Sequence, residues 1–79
     1  MNLKGKRVVV TGGGSGYGRG IAAELAKAGA KVWITGRDAR KLAAAAKATG
    51  AKAVVADVTS GADWDRVLDE VGAIDVLVN

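Results

Sequence analysis

The segment Thr11-Gly12-Gly13-Gly14-Ser15-Gly16-Tyr17-Gly18-Arg19-Gly20 limits what this chain can fold into more than any other. It follows the β-branched run Val8-Val9-Val10 and leads into a helix-like stretch over residues 21–27. A strand, a glycine turn and a helix in that order form an anion site. Glycine lets the backbone turn sharply and approach a ligand closely, while the first turn of the helix offers unpaired N–H groups and the positive end of the dipole. A dinucleotide pyrophosphate fits such a site. The alternative is a tight strand-to-helix turn and nothing more.

Seventy-nine residues suffice for one small domain, near the size at which a single core only just outweighs chain entropy. Cysteine and histidine are absent, which excludes disulfides, thiolate or imidazole metal ligands, and a Cys or His catalytic group. The apolar run before the glycines is too short for a signal segment or a membrane span. A soluble, cytoplasmic chain with no membrane partner is expected.

The net charge of +4 is unevenly distributed. Residues 1–52 carry eleven Lys and Arg against Glu24 and Asp38, a net +9, whereas residues 53–79 carry Arg66 against six acids, a net −5. The basic front half suits an anion. Nucleic acid is the less favoured partner, because Tyr17, Trp33 and Trp64 are scattered and form no stacking platform. A solvated basic surface around one phosphate pocket is the simpler expectation.

The spacing predicts a first strand over residues 6–11 and a helix over about 17–28, with Ile21 and Leu25 four apart and Gly29 as a left-handed cap. A second strand is expected over 31–35, ending at Gly36-Arg37. Asp38 then caps an alanine-rich helix over 39–49 that stops at Gly50. Leu42 is the only large apolar side chain of that helix, so loose cover of the sheet is expected. A third strand follows over 52–57. Ser60 and Asp63 resemble a capping box, and Trp64, Val67, Leu68 and Val71 recur at helical spacing up to Gly72. A fourth strand occupies 74–78. Strands alternating with helices through short connections argue for an α/β fold with a parallel sheet and right-handed crossovers.

The glycine spacing is Thr11-Gly12, three residues, Gly16, one residue, Gly18. With Asp57-Val58 after the third strand and the closing Ile74-Asp75-Val76-Leu77-Val78-Asn79, it resembles the short-chain dehydrogenase/reductase family along the whole chain. The resemblance implies a Rossmann-like half, a four-stranded parallel sheet of order 3-2-1-4 with three helices. Residues 1–79 are then an amino-terminal dinucleotide-binding half-domain, cut after the fourth strand. It implies that Gly12, Gly16 and Gly18 are the signature glycines, with Ser15 and the Tyr17 N–H near the phosphates and the nicotinamide end. Asp57 and Val58 take the adenine contacts, and Asn79 lines the cofactor. Two other roles stay open: Asp57 as a plain loop acceptor, and Asn79 as a disordered terminus.

Cofactor choice turns on the end of the second strand. An acid there favours the ribose hydroxyls of NAD, whereas an arginine accommodates the 2′-phosphate of NADP. Arg37 favours NADP, unless it is only a solvated loop residue. Asp38 either caps the second helix or turns toward a ribose. Tyr17 stands where relatives usually have an aliphatic residue, and either stacks on the nicotinamide, obstructs it, or simply packs.

The family's hydride transfer uses a tyrosine with a lysine four residues on, and here the only tyrosine, Tyr17, has Ile21 at that distance. No catalytic residue is therefore assigned. A binding module that holds NADP without turnover is the first expectation. The others are a piece completed by a complementary C-terminal half across the fourth strand, or an engineered or self-associating folding unit with weak or no cofactor binding.

Overall fold

The computed structural model describes residues 3–12, 14 and 16–79. Seven elements follow in the order β1 (Arg7–Thr11), α1 (Gly16–Lys27), β2 (Lys31–Gly36), α2 (Ala39–Thr49), β3 (Lys52–Val55), α3 (Gly61–Val71) and β4 (Val76–Val78). All three strand pairings are parallel and the sheet order is β3-β2-β1-β4. The chain therefore crosses leftward twice and then returns past β1, which puts α3 on the sheet face opposite α1 and α2.

The unbroken valines of β1 account for this arrangement. Side chains alternate between faces along a strand, so a run buried at every position must be covered on both sides. Val8 and Val10 pack with Ala22, Ile34, Leu42 and Ala45, while Val9 packs with Trp33, Val54, Val67 and Val71. All three valines are at most 1% exposed. Burial of each contributes about 1.5–3 kcal/mol.

Helix ends follow the local sequence. After α1, Gly29 takes φ +91°, its N–H donates to the Ala26 carbonyl and the Ala30 N–H donates to the Leu25 carbonyl. That pair of bonds is a Schellman motif. Asp38 accepts from the Arg40 and Lys41 N–H groups at 3.1 Å, and so serves as the cap of α2. Gly50 closes α2 in the left-handed conformation.

Several sequence-based boundaries shift. β1 starts one residue later than expected, because the Lys6 N–H turns back to the Leu3 carbonyl. β3 ends at Val55 instead of 57, where Asp57 leaves the ladder for a turn with Thr59. β4 starts at Val76, not 74: the Asp75 carboxylate accepts the Arg7 N–H at 2.9 Å. Helix α2 does not cover the sheet loosely. Leu42 and Ala45 are buried, and a Cβ at Gly36 would stand 3.4 Å from Leu42 Cδ1, so alanine brings the helix into close contact with the strand. In α3, Val67 and Val71 are fully buried and Trp64 packs partly against them, whereas Leu68 is 38% exposed.

Leu42→Ala is expected to destabilise the chain by about 2–5 kcal/mol, while Leu68→Ala costs about 1 kcal/mol or less. Urea denaturation followed by circular dichroism checks the contrast, and equal losses would contradict the packing described for α2.

Candidate functional site

The carboxyl ends of all four strands and the amino ends of the helices meet at one edge of the sheet, as right-handed parallel crossovers require. Gly12 sits at the centre of that edge. It takes φ +72° directly after β1, and its N–H donates to the Thr35 carbonyl at 3.0 Å. Three adjoining recesses share it.

The first recess, about 270 Å³, lies between the glycine turn and the start of α2 and is lined by Gly14, Gly36, Arg37, Asp38 and Lys41. The second, about 310 Å³, is lined by Thr35, Gly36, Arg37 and residues 56–59. The third, about 180 Å³, runs past Tyr17, Gly18 and Ile21 to Val78 and Asn79. Eight of the nine residues expected at the site, Gly12, Gly16, Tyr17, Gly18, Arg37, Asp57, Val58 and Asn79, are described, and all but Gly16 line these recesses. Ser15 lies outside the described residues.

Glycine positions show what the site leaves open. A Cβ on Gly12 or on Gly16, the first residue of α1, would meet no heavy atom within 4 Å beyond its chain neighbours and its own helix. No other described residue enters that space, at the helix end where N–H groups attract an anion. Gly14 instead comes close to α2, with a built Cβ 3.7 Å from Lys41 Cβ. Arg37 is exposed and makes no hydrogen bond or ion pair among the described residues. The Thr35 hydroxyl, beneath the second recess, is fully buried and has no hydrogen-bond partner among the described residues. A cleft with open glycine surface and a guanidinium that has no bonded partner among the described residues fits a phosphorylated dinucleotide.

The loop after β3 is more ordered than its length suggests. Asp57 Oδ1 accepts from the Thr59 N–H at 3.0 Å and from the Thr59 hydroxyl at 2.5 Å, and the Asp57 carbonyl accepts from the Ser60 N–H. The plain-acceptor role of Asp57 is thus realised for one carboxylate oxygen. The Thr59 hydroxyl and then the Thr59 N–H hold the carboxyl below its ordinary 3.8; slight desolvation opposes them and Arg37 adds a smaller attraction.

Asp63 departs from the expected capping box. Ser60 Oγ does accept from the Asp63 N–H at 3.4 Å, but the Asp63 carboxylate returns to the Asp57 N–H at 2.7 Å instead of to Ser60. Its other oxygen lies 3.4 Å from Arg66.

Asn79 is held in place. The Thr11 hydroxyl shares its proton between the Val78 carbonyl at 3.2 Å and Asn79 Oδ1 at 3.0 Å. Sequence reasoning did not find Thr11, Thr59 or Asp63 in these roles. A Thr two residues beyond the Asp is the available signal for Thr59. Tyr17 is 83% exposed, so it does not pack into the core.

The basic residues are not gathered around the glycine turn as expected. Arg7, Lys31 and Lys52 line a separate hollow of about 330 Å³ at the opposite edge of the sheet. There the Arg7 guanidinium and the Lys52 ammonium lie 5.8 and 5.4 Å from the centre of the Trp33 ring. Arg7 also donates to the Val71 carbonyl at the end of α3. They anchor Trp33 and the end of a helix. Among the charged groups of the described residues, Arg37, Asp38, Lys41 and Asp57 line the three recesses that share Gly12.

Residues 6–79 match the sequence profile of the short chain dehydrogenase family. Dehydrogenase/reductase SDR family member 1 of Mus musculus is 41% identical over 98% of this chain, which covers 28% of that protein. D-xylose 1-dehydrogenase of Caulobacter vibrioides is 42% identical over 99% of the chain, which covers 34% of it. The crystal structure of 3-ketoacyl-(acyl-carrier-protein) reductase from Brucella melitensis complexed with NADH superposes with a TM-score of 0.82 at 40% identity, over 95% of this chain and 33% of that one. The chain thus spans about a third of the length of the relatives it matches. Among the described residues no helix is long and apolar enough to cross a membrane.

The depressed Asp57 carboxyl has a stability consequence. Because its folded value lies below the unfolded one, its contribution is fully present above pH 3.8 and is lost as pH falls through the lower folded value. Asp57→Asn is therefore expected to reduce stability by a constant amount at neutral pH, with the gap to wild type closing below pH 3.8. Urea midpoints measured across the acid range check it; a gap that widens on acidification would contradict the assignment.

Proposed function

We propose that this chain, which belongs to the short chain dehydrogenase family, is an amino-terminal half-domain that binds NADP(H) and leaves turnover to residues beyond these seventy-nine. The observation that carries the reading is the open space over Gly12 and Gly16 at the start of α1. A helix start with no side chain over it favours a pyrophosphate through the positive end of the dipole, and the glycines leave room for it.

Each part of the cofactor then has a partner in this chain. Arg37 stands at the end of β2, where a guanidinium favours a 2′-phosphate, and its freedom from other partners supports NADP over NAD. The Brucella relative was solved with NADH, so the preference rests on Arg37 alone. Asp57 and Val58 take the adenine, Gly18 and the Tyr17 N–H face the phosphates and the nicotinamide end, and Asn79 lines the third recess. A bound nicotinamide supplies a hydride donor or acceptor at its ring. This chain contributes binding and orientation.

The partner follows from β4. It is paired with β1 on one side only, and Leu77, on the α3 face, is 45% exposed. A complementary carboxy-terminal segment that extends the sheet past β4 would cover both, as would a second copy. In either form the protein is a cytoplasmic, nucleotide-binding one.

Calorimetric titration tests the cofactor. NADP is expected to bind, and Gly16→Ala, whose methyl enters the open space, should weaken it at least tenfold without loss of stability. Arg37→Ala should lower NADP affinity by about 10- to 100-fold and NAD affinity by less than about twofold, in line with about 1.5–3 kcal/mol for a charged hydrogen bond. A folded chain that binds neither dinucleotide would falsify the reading, and equal losses for both in Arg37→Ala would remove the NADP preference.

A further inference from the structure

The loop that follows β3 carries, on two consecutive residues that line one recess, an acceptor and a donor with no partner among the described residues. Asp57 Oδ1 is engaged by both hydrogen-bonding groups of Thr59, whereas Asp57 Oδ2 accepts no hydrogen bond from any described residue. The Val58 N–H, one residue on, likewise has no partner among the described residues. Both residues line the recess of about 310 Å³. A carboxylate oxygen beside an N–H matches the edge of adenine, whose exocyclic amine donates and whose N1 accepts. It mismatches hypoxanthine, whose 6-oxo group accepts and whose N1–H donates.

Selectivity of this kind requires the pair to be fixed, since a rotating carboxylate presents an oxygen to either base. Three residues fix it. Thr59 holds the side-chain torsion of Asp57 from two directions. Asp63 holds the Asp57 backbone by accepting its N–H at 2.7 Å, and is itself fixed as the third residue of α3, where its N–H is capped by Ser60. The Asp57 carbonyl accepts from the Ser60 N–H, which closes the turn. Arg66 bonds the Val55 carbonyl at 2.6 Å and lies 3.4 Å from Asp63, tying this cluster to the end of β3.

We infer that Thr59 and Asp63 are positioning residues for base recognition: they lock the Asp57 carboxylate and the Val58 N–H into an edge that selects adenine over a 6-oxopurine. The inference rests on the cofactor reading above and adds residues outside the Asp57-Val58 pair. Asp63 reaches the base only through Asp57. Its replacement therefore changes which base is preferred, whereas a merely structural defect would weaken every dinucleotide alike.

The test compares NADP with its hypoxanthine analogue, in which only the base differs, by calorimetric titration of the 79-residue chain. Wild type is expected to prefer the adenine form by about tenfold or more. Thr59→Val, which removes the hydroxyl from an exposed position and leaves the N–H, and Asp63→Ala should each bring that ratio below about threefold. The NADP-to-NAD ratio, read at the Arg37 end, should stay unchanged. Asp63→Asn retains an acceptor for the Asp57 N–H and should keep most of the selectivity. Wild-type selectivity retained in both Thr59→Val and Asp63→Ala, or equal weakening toward both bases, overturns the inference alone. A wild-type chain that binds neither dinucleotide overturns the cofactor reading and the base selection together.

Discussion

Burial of β1 on both faces is the constraint on which the rest depends. Val8, Val9 and Val10 can all leave water only if helices lie on either side of the sheet and strands flank β1 at both edges. Parallel strands connected by helices meet that condition, and right-handed crossovers then bring every strand's carboxyl end to the same edge. The position of the site follows from the way the core is built. Gly12 marks the point where the chain leaves the buried strand, and the return of the chain from β3 to β4 opens the crevice beside it.

Features determined within a few residues were readable in the sequence. Asp38 before an alanine-rich run and Gly29 and Gly50 after helices appear as expected, because cap and turn chemistry involves only near neighbours, whereas the strand order is carried by the family resemblance. Features determined across the sheet were not. Arg7 and Lys52 are far apart in sequence and approach Trp33 only because β1 and β3 flank β2 in register. A charge count could not show that those cations sit at the edge away from the glycine turn. Leu68 lies at proper helical spacing yet stays exposed, since α3 has one narrow buried face, centred on Val67 and Val71.

Asp63 illustrates the same division within a single residue. Its position three residues after Ser60 predicts a local cap, and half of that cap forms. The carboxylate takes a different donor because the chain turns back at Asp57 and brings its N–H within 2.7 Å. The Ser60 N–H, which the box would have used, is already bonded to the Asp57 carbonyl. Backbone groups in a tight turn compete for few acceptors, and the reciprocal bond loses to one that closes a second turn.

The two ends of the crevice therefore differ in kind. At the glycine turn the protein contributes an absence of side chains, so what it recognises there is charge and close approach. At the β3 loop it contributes atoms fixed by Thr59 and Asp63, and an arrangement of fixed donors and acceptors can tell one base from another. Arg37 stands between them, near enough to Asp57 to lower its carboxyl slightly and without a bonded partner among the described residues. A phosphate drawn to Arg37 would screen that attraction, while the two Thr59 bonds, which act more strongly on the carboxyl, would persist. The lowering of the Asp57 carboxyl thus comes mainly from its own loop, and a carboxyl at or below its ordinary value is ionised at neutral pH whichever phosphate the neighbouring arginine meets.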